Sequence, residues 1–177
     1  MTVRKTLSSK TVWRNEWYSV KKDKVIRPDG SEGHYYVINR APTVVIIPWT
    51  NSNIYLVKQY RYALKQRVWE LPMGTCEKNI ALLENAKKEL QEETGLTASK
   101  WNRVGKFSWM SGMSNQLAYV YLATHLRQGQ TDREPEELDM DMKAFSLKEI
   151  EKMIKNSQII DDGTITAIYQ FKLFLNK

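Results

Sequence analysis

Residues 71–96, LPMGTCEKNIALLENAKKELQEETGL, decide how this chain is read. Pro72 fixes the entry to a tight turn at Gly74, and a short loop leads into a helix of about four turns over 81–94. Gly95 fits the left-handed position just past a helix end. Leu82, Leu83, Ala86 and Leu90, with Leu96 beyond, make an apolar stripe. Glu84 and Lys88 stand four residues apart in the favourable order. Glu89, Glu92 and Glu93 share one face near the end of the helix. Three like charges on one face repel, so folding alone does not favour them. A bound divalent cation reverses the sign of that cost.

The rest of the composition narrows the chemistry. A chain of 177 residues suits one domain, or one domain with a small appendage. It is 42% hydrophobic, enough for a core, and 27% charged. The net charge of +7 attracts anions, although a solvated lysine-rich surface accounts for most such balances. Cys76 is the single cysteine, which rules out an intrachain disulfide and fits a reducing compartment. His34 and His125 are the two histidines, so the residue set for a zinc site is missing. The carboxylates instead suit Mg²⁺ or Mn²⁺. No apolar run approaches the ~20 residues that span a bilayer. The opening MTVRKTLSSKTVW lacks the apolar core of a signal peptide, and the expected location is cytoplasmic.

Around the helix, the pattern is mostly strands. Residues 12–25 and 34–38 flank the turn Pro28-Asp29-Gly30 and read as an aromatic-rich hairpin. Such a two-stranded unit is marginal alone and is expected to pack on another surface, such as a second subunit. Residues 43–47 form a continuous apolar run for a buried strand, with 54–60 as its hairpin partner. Residues 69–72 form a brief strand into the glycine turn. Residues 101–109 and 117–122 are further strands, separated by the small polar loop 110–115. A charged loop over 129–138 carries Glu134, Glu136 and Glu137, and 140–145 is a last strand. Ser146 and Glu149 make a capping box that opens a helix. A final helix runs from 161–164 to 175, with Ile165, Ile168, Tyr169 and Leu173 on a helical period. This order predicts an α+β fold, a mixed sheet covered by helices on both faces.

The segment 74–96 resembles the Nudix box, G-x5-E-x7-R-E-U-x-E-E-x-G-U with U aliphatic. Gly74, Glu89, Leu90, Glu92, Glu93, Gly95 and Leu96 fall in register with it, while Ile80 replaces the first Glu and Lys88 the Arg. Gln59-Tyr60-Arg61-Tyr62, Trp69-Glu70-Leu71-Pro72, Val37-Ile38-Asn39-Arg40 and Ser111-Gly112-Met113-Ser114 are similar to the ADP-ribose and nucleotide-sugar pyrophosphatases of that family. The resemblance implies an α/β/α sandwich with a mixed sheet, at 41–177, after a small N-terminal antiparallel β unit at 1–40. It implies Mg²⁺-dependent hydrolysis of a nucleotide sugar, with Mn²⁺ as an alternative. Glu89 and Glu93 would be the main metal ligands, with Glu92 in support and the Met73 carbonyl completing the site. Arg40, Arg61 and Glu70 fall to substrate binding. Glu92 and Glu93 share catalysis with a loop glutamate that positions water, Glu136 ahead of Glu137. Lys88 would steady a glutamate as the usual Arg does. The N-terminal unit would form a homodimer and complete part of the substrate site. Ser111 and Gln116 depart from the subfamily and mark a different substrate-facing loop.

Two rivals stay open at this level. One is a pyrophosphohydrolase acting on RNA 5′ ends or dinucleoside polyphosphates, which the basic charge favours and the Arg61 and Glu70-Leu71-Pro72 flanks oppose, so nucleic acid is not the expected partner. The other is a non-catalytic nucleotide-sensing module, for which Ile80 and Lys88 speak. The preferred base and sugar are not encoded in any motif.

Overall fold

The computed structural model describes residues 5–133 and 139–176. The chain divides into two compact units. The smaller holds the described residues up to Pro42 together with Ser108–Leu117, and the larger holds Thr43–Phe107 with Ala118 onward.

In the smaller unit, strands β1 (Lys5–Arg14), β2 (Tyr18–Ile26) and β3 (Glu32–Arg40) form an antiparallel sheet in that order. The hairpin expected from sequence is thus three-stranded. The extra strand, β1, is exposed along its whole length and carries Thr, Ser and Lys, so no apolar period reveals it. Asn15 reverses the chain: its Oδ1 accepts the N–H groups of Trp17 (2.9 Å) and Tyr18 (2.8 Å). Residues 110–115, expected as a free polar loop, are fastened along β3. The Ile38 N–H donates to Met113 O (2.8 Å) and the Asn115 N–H to Ile38 O (3.2 Å).

The larger unit is built on β4 (Thr43–Pro48), buried at every residue. It continues with β5 (Asn53–Arg61), β6 (Gln66–Glu70), β7 (Met73–Thr75), α1 (Leu82–Thr94), β8 (Leu96–Ser108), β9 (Leu117–Gln128), β10 (Asp141–Ser146), α2 (Leu147–Lys155) and α3 (Asp162–Leu175). One sheet runs β7-β4-β9-β8 and another β10-β5-β6. The first is mixed, because β4 pairs parallel with β9 and antiparallel with β7. Val44 and Ile46 face α1, packing with Ala86, Leu90 and Tyr121. Val45 and Ile47 point to the other side by strand alternation, and β4 also touches α3. The architecture is therefore the expected α+β one, with a mixed sheet between helices. Each buried aliphatic side chain of β4 contributes roughly 1.5–3 kcal/mol. Among the described residues no helix is long and apolar enough to cross a membrane.

The two C-terminal helices start as their sequences direct. Ser146 and Glu149 form the reciprocal capping box of α2. Asp161 caps α3, accepting the Thr164 N–H at 2.7 Å. The expected stripe on α3 holds only in part. Ile168 is buried and Ile165 half-buried, but Tyr169 and Leu173 are exposed, and the buried face is completed by Thr164, Ala167 and Phe171. Thr164 explains the shift, since its Oγ1 accepts the Leu71 N–H at 2.8 Å in the interior. That bond turns the polar N-terminal end of α3 inward. Replacing Thr164 by Val removes the acceptor and leaves a buried donor unpaired, at a cost of about 1–3 kcal/mol. Thermal unfolding of Thr164→Val is expected to shift down by several degrees, while Tyr169→Ser on the exposed face leaves the midpoint within a degree or two.

Candidate active site

Gly74 lies within strand β7 and pairs with Val44, so the turn read at this residue is a strand. A side chain is excluded there for another reason. A Cβ built on Gly74 would collide with the Glu89 carboxylate, which lies flat against the backbone. One turn further along α1, Glu93 is 1% exposed, and its Oε2 accepts the Met73 N–H at 3.3 Å. Two carboxylates from one helix face are thereby laid on the adjacent residues Met73 and Gly74. Glu92 is turned aside, with Lys88 Nζ 3.5 Å from its Oε1. Among the described residues no group of three or more His, Cys, Asp or Glu side chains is gathered as a metal cluster. The site is a pair, Glu89 and Glu93, with Glu92 beside it.

The neighbouring loop engages one of the two residues that depart from the motif. Lys88 forms an ion pair with Glu77, three residues before Ile80. That hydrogen bond, above all, raises the Lys88 ammonium above its ordinary range. Glu84 pairs with Lys87 (2.7 Å), not with Lys88 as its spacing predicted, because Lys88 is engaged by Glu77 and Glu92. Asn85, unremarked in the sequence, is buried and fixes the same loop. Its Oδ1 accepts the Glu77 N–H (2.9 Å), and its Nδ2 donates to Ile80 O and Ala81 O, both at 3.1 Å. A polar residue on an otherwise apolar stripe was the available signal. Burial, with the Glu89 charge adding to it, pushes the Cys76 thiol up to about 11.

A second charged pair lies on the β5–β6 hairpin. The Arg61 Nε donates to both oxygens of Glu70 (2.8 and 3.0 Å), and its Nη2 joins Glu70 as well. Glu70 is 2% exposed and also accepts from Gln59 Nε2 at 3.3 Å. Burial pushes the Glu70 carboxyl up from its usual range, against the pull of Arg61. Burial opposes the Arg61 charge too, but Glu70, Asp161 and Glu93 together outweigh it and raise the guanidinium. Arg61 is thus within electrostatic reach of Glu93 and half-exposed, with its plane fixed by the buried carboxylate. Arg40 belongs to the smaller unit. It is exposed, and its N–H donates to Asn115 Oδ1 at 3.1 Å.

The C-terminal end of α1 is closed by an unusual number of partners. Gly95 takes φ +69°, and its N–H bonds Gln91 O at 2.8 Å. Helix ends leave carbonyls without intrahelical donors. Here the segment leaving β9 meets four of them in succession. Asp132 N–H donates to Glu92 O (3.2 Å), Arg133 Nε to Glu93 O (3.0 Å), Gln128 Nε2 to Thr94 O (3.2 Å) and Gly129 N–H to Gly95 O (2.8 Å). Past this segment, Asp139 is held by Arg67, Nη1 to Oδ2 at 2.7 Å. Glu136 and Glu137 lie outside the described residues.

A divalent cation fits the donors that are present. The carboxylates are hard oxygen ligands, and Gly74 clears the space in which one of them rests against the backbone. Residues 39–164 match the family model described as the NUDIX domain, and residues 5–38 match the nucleoside diphosphate sugar hydrolase N-terminal domain. The chain belongs to the Nudix family. An ADP-ribose pyrophosphatase of Mycobacterium tuberculosis is 31% identical over 92% of this chain and 80% of its own length. An ADP-ribose pyrophosphatase of Bacillus subtilis is 27% identical over 96% of this chain and 95% of its own. The crystal structure of an ADP compounds hydrolase superposes with a TM-score of 0.87 at 18% identity, covering 99% of this chain and 96% of that one. That likeness establishes the shared fold. Nudix hydrolases generally depend on divalent metals, which agrees with the donor set of this Nudix hydrolase.

The Gly74 contact yields a direct test. Gly74→Ala forces the Glu89 carboxylate off the strand, so hydrolytic kcat is expected to fall at least tenfold with the circular dichroism spectrum unchanged. Gly112→Ala, where an added Cβ meets nothing within 4 Å, is the control for thermal stability and leaves the unfolding midpoint in place.

Proposed function

We infer that this Nudix hydrolase cleaves the pyrophosphate of ADP-ribose or a related nucleotide sugar, releasing a nucleoside monophosphate and a sugar phosphate. The observation that carries the reading is the carboxylate pair Glu89 and Glu93 on Met73–Gly74, within electrostatic reach of the Arg61–Glu70 pair. Acidic groups for a cation beside an oriented guanidinium suit a substrate rich in phosphate oxygens. The names of the two bacterial relatives and the match over residues 5–38 support a nucleotide-sugar substrate.

In this reading Glu89 and Glu93 hold Mg²⁺, with Mn²⁺ as a substitute, supported by Glu92 and the Met73 carbonyl. The cation, when bound, neutralises phosphate charge and lowers the pKa of a bound water. Arg61 presents its fork to the substrate, and Glu70 fixes the plane of that fork from below. Arg40 adds a second cation to substrate binding. Glu136, ahead of Glu137, orients water and takes its proton. The enzyme works in the cytoplasm as a homodimer joined through the N-terminal β unit. Leu7, Val12, Trp13 and Trp17 of that unit are exposed apolar side chains, a surface that a second copy would cover.

A substrate panel of ADP-ribose, GDP-mannose, other nucleotide sugars and 5′-triphosphate RNA, each with Mg²⁺, tests the substrate class. Nucleotide sugars are expected to be cleaved and RNA left intact; preferential attack on RNA, or no turnover of any sugar, overturns the reading. Chelation of the metal should abolish turnover, and added Mg²⁺ should restore it. Glu93→Gln should lower kcat by at least a hundredfold, and Arg61→Lys should chiefly raise KM. Sedimentation equilibrium should give about twice the 20.7 kDa chain mass, and Trp17→Glu should shift it toward the monomer.

A further inference from the structure

The larger unit contains a cavity of about 530 Å³ that the carboxylate site does not use. Thr43 to Val45 of β4 pair with β7, whereas Trp49, Thr50 and Asn51 follow the opposite end of the same strand and form one wall of the cavity. The other walls come from β8, β9 and the last turn of α3. Trp49, Leu122 and Phe174 supply apolar surface. Trp49 is braced from within by Phe171, ring centroids 5.2 Å apart at 73°. Lys100 and His125 supply the titratable groups, and no carboxylate is among the described residues that line the cavity. Thr50, Asn102 and Thr124 add hydrogen-bonding groups.

His125 lines this cavity together with its neighbours Thr124 and Leu126. His125 has φ +56°, a left-handed backbone conformation in the middle of β9. That conformation interrupts the regular strand geometry at the rim of the cavity. The Thr124 hydroxyl lies 3.3 Å from His125 Nδ1. His125 and Lys100 line the same cavity.

We propose that this cavity is a second ligand site, selective for a small aromatic molecule bearing a phosphate, of the nucleoside monophosphate class. Its volume falls in the range of small-molecule pockets and far exceeds a single phosphate ion. Lys100, with no carboxylate among the described residues that line the cavity, favours an anion. Trp49 and Phe174 offer faces for a planar ring, while the hydroxyl and amide groups suit a sugar. The site stands apart from Glu89 and Glu93 and does not depend on which substrate they act on.

The test is a titration of the full chain in metal-free buffer, followed by amide and indole NMR, with adenosine 5′-monophosphate, adenosine and inorganic phosphate as separate probes. The monophosphate is expected to give saturable shifts at Lys100, Asn102, Thr124, His125, Leu126 and the Trp49 indole. Adenosine and phosphate should bind there at least tenfold more weakly. Lys100→Ala, an exposed substitution, should weaken these shifts at least tenfold and leave turnover at the carboxylate site unchanged. The proposal is overturned if the monophosphate leaves those signals unmoved, if either fragment matches it, or if Lys100→Ala has no effect on them. The readout is local to the cavity, so a failure of the nucleotide-sugar assignment would not alter it.

Discussion

The close approach of α1 to strand β7 is the constraint from which the site follows. Only a residue without a side chain lets the Glu89 carboxylate rest on the strand, and Gly74 supplies it. The helix must then be held at that distance against the mutual repulsion of its own acids. Apolar packing of Ala86 and Leu90 on Val44 and Ile46 provides the attraction. Asn85 and the Lys88–Glu77 pair fasten the entrance loop to the same helix. The carbonyl ends at Glu92 to Gly95 are taken up by the chain that leaves β9. Each contact is ordinary in strength, at about 1 kcal/mol for a net hydrogen bond. Together they leave α1 little freedom to slide, which keeps two carboxylates poised in a chain whose net charge is positive.

Much of this was legible in the residues because it depends on local spacing. The offsets among Glu89, Glu92 and Glu93 place them on one face in any helix. Gly95, the Ser146–Glu149 box and the apolar run of β4 are likewise signals that act over a few residues, and the fold reproduces them. What spacing could not reveal is which of the three glutamates face the strand. Glu93 goes in and Glu92 is drawn to Lys88, a choice made by the position of β7 and not by the helix.

Other features have no signature in local spacing. Strand β1 lacks an apolar period because it is exposed throughout, so sequence pattern was silent on it. The α3 stripe was assigned by hydrophobicity, yet the helix is oriented by Thr164 reaching a backbone N–H at Leu71, 93 positions away. The Lys88–Glu77 ion pair likewise follows from how the loop folds back on the helix and not from helical spacing. The Arg61–Glu70 tie arises from the pairing of β5 with β6. At α3, Lys88 and Arg61 the deciding contact is polar and set by how the chain folds back on itself, and such contacts leave no periodic trace.

The parallel pairing of β4 with β9 sets a timetable for the newborn chain. Thr43 must wait for Ala118 before its strand acquires that neighbour. At roughly 5–20 residues per second on the ribosome, Val44, Val45, Ile46 and Ile47 emerge several seconds before their parallel partner. During that interval this fully buried strand lacks its parallel neighbour, which leaves an extended hydrophobic segment for chaperones to grip. The antiparallel strand β7 arrives earlier and pairs with Thr43, Val44 and Val45, so the glycine that admits the carboxylate also gives the nascent chain its first cover.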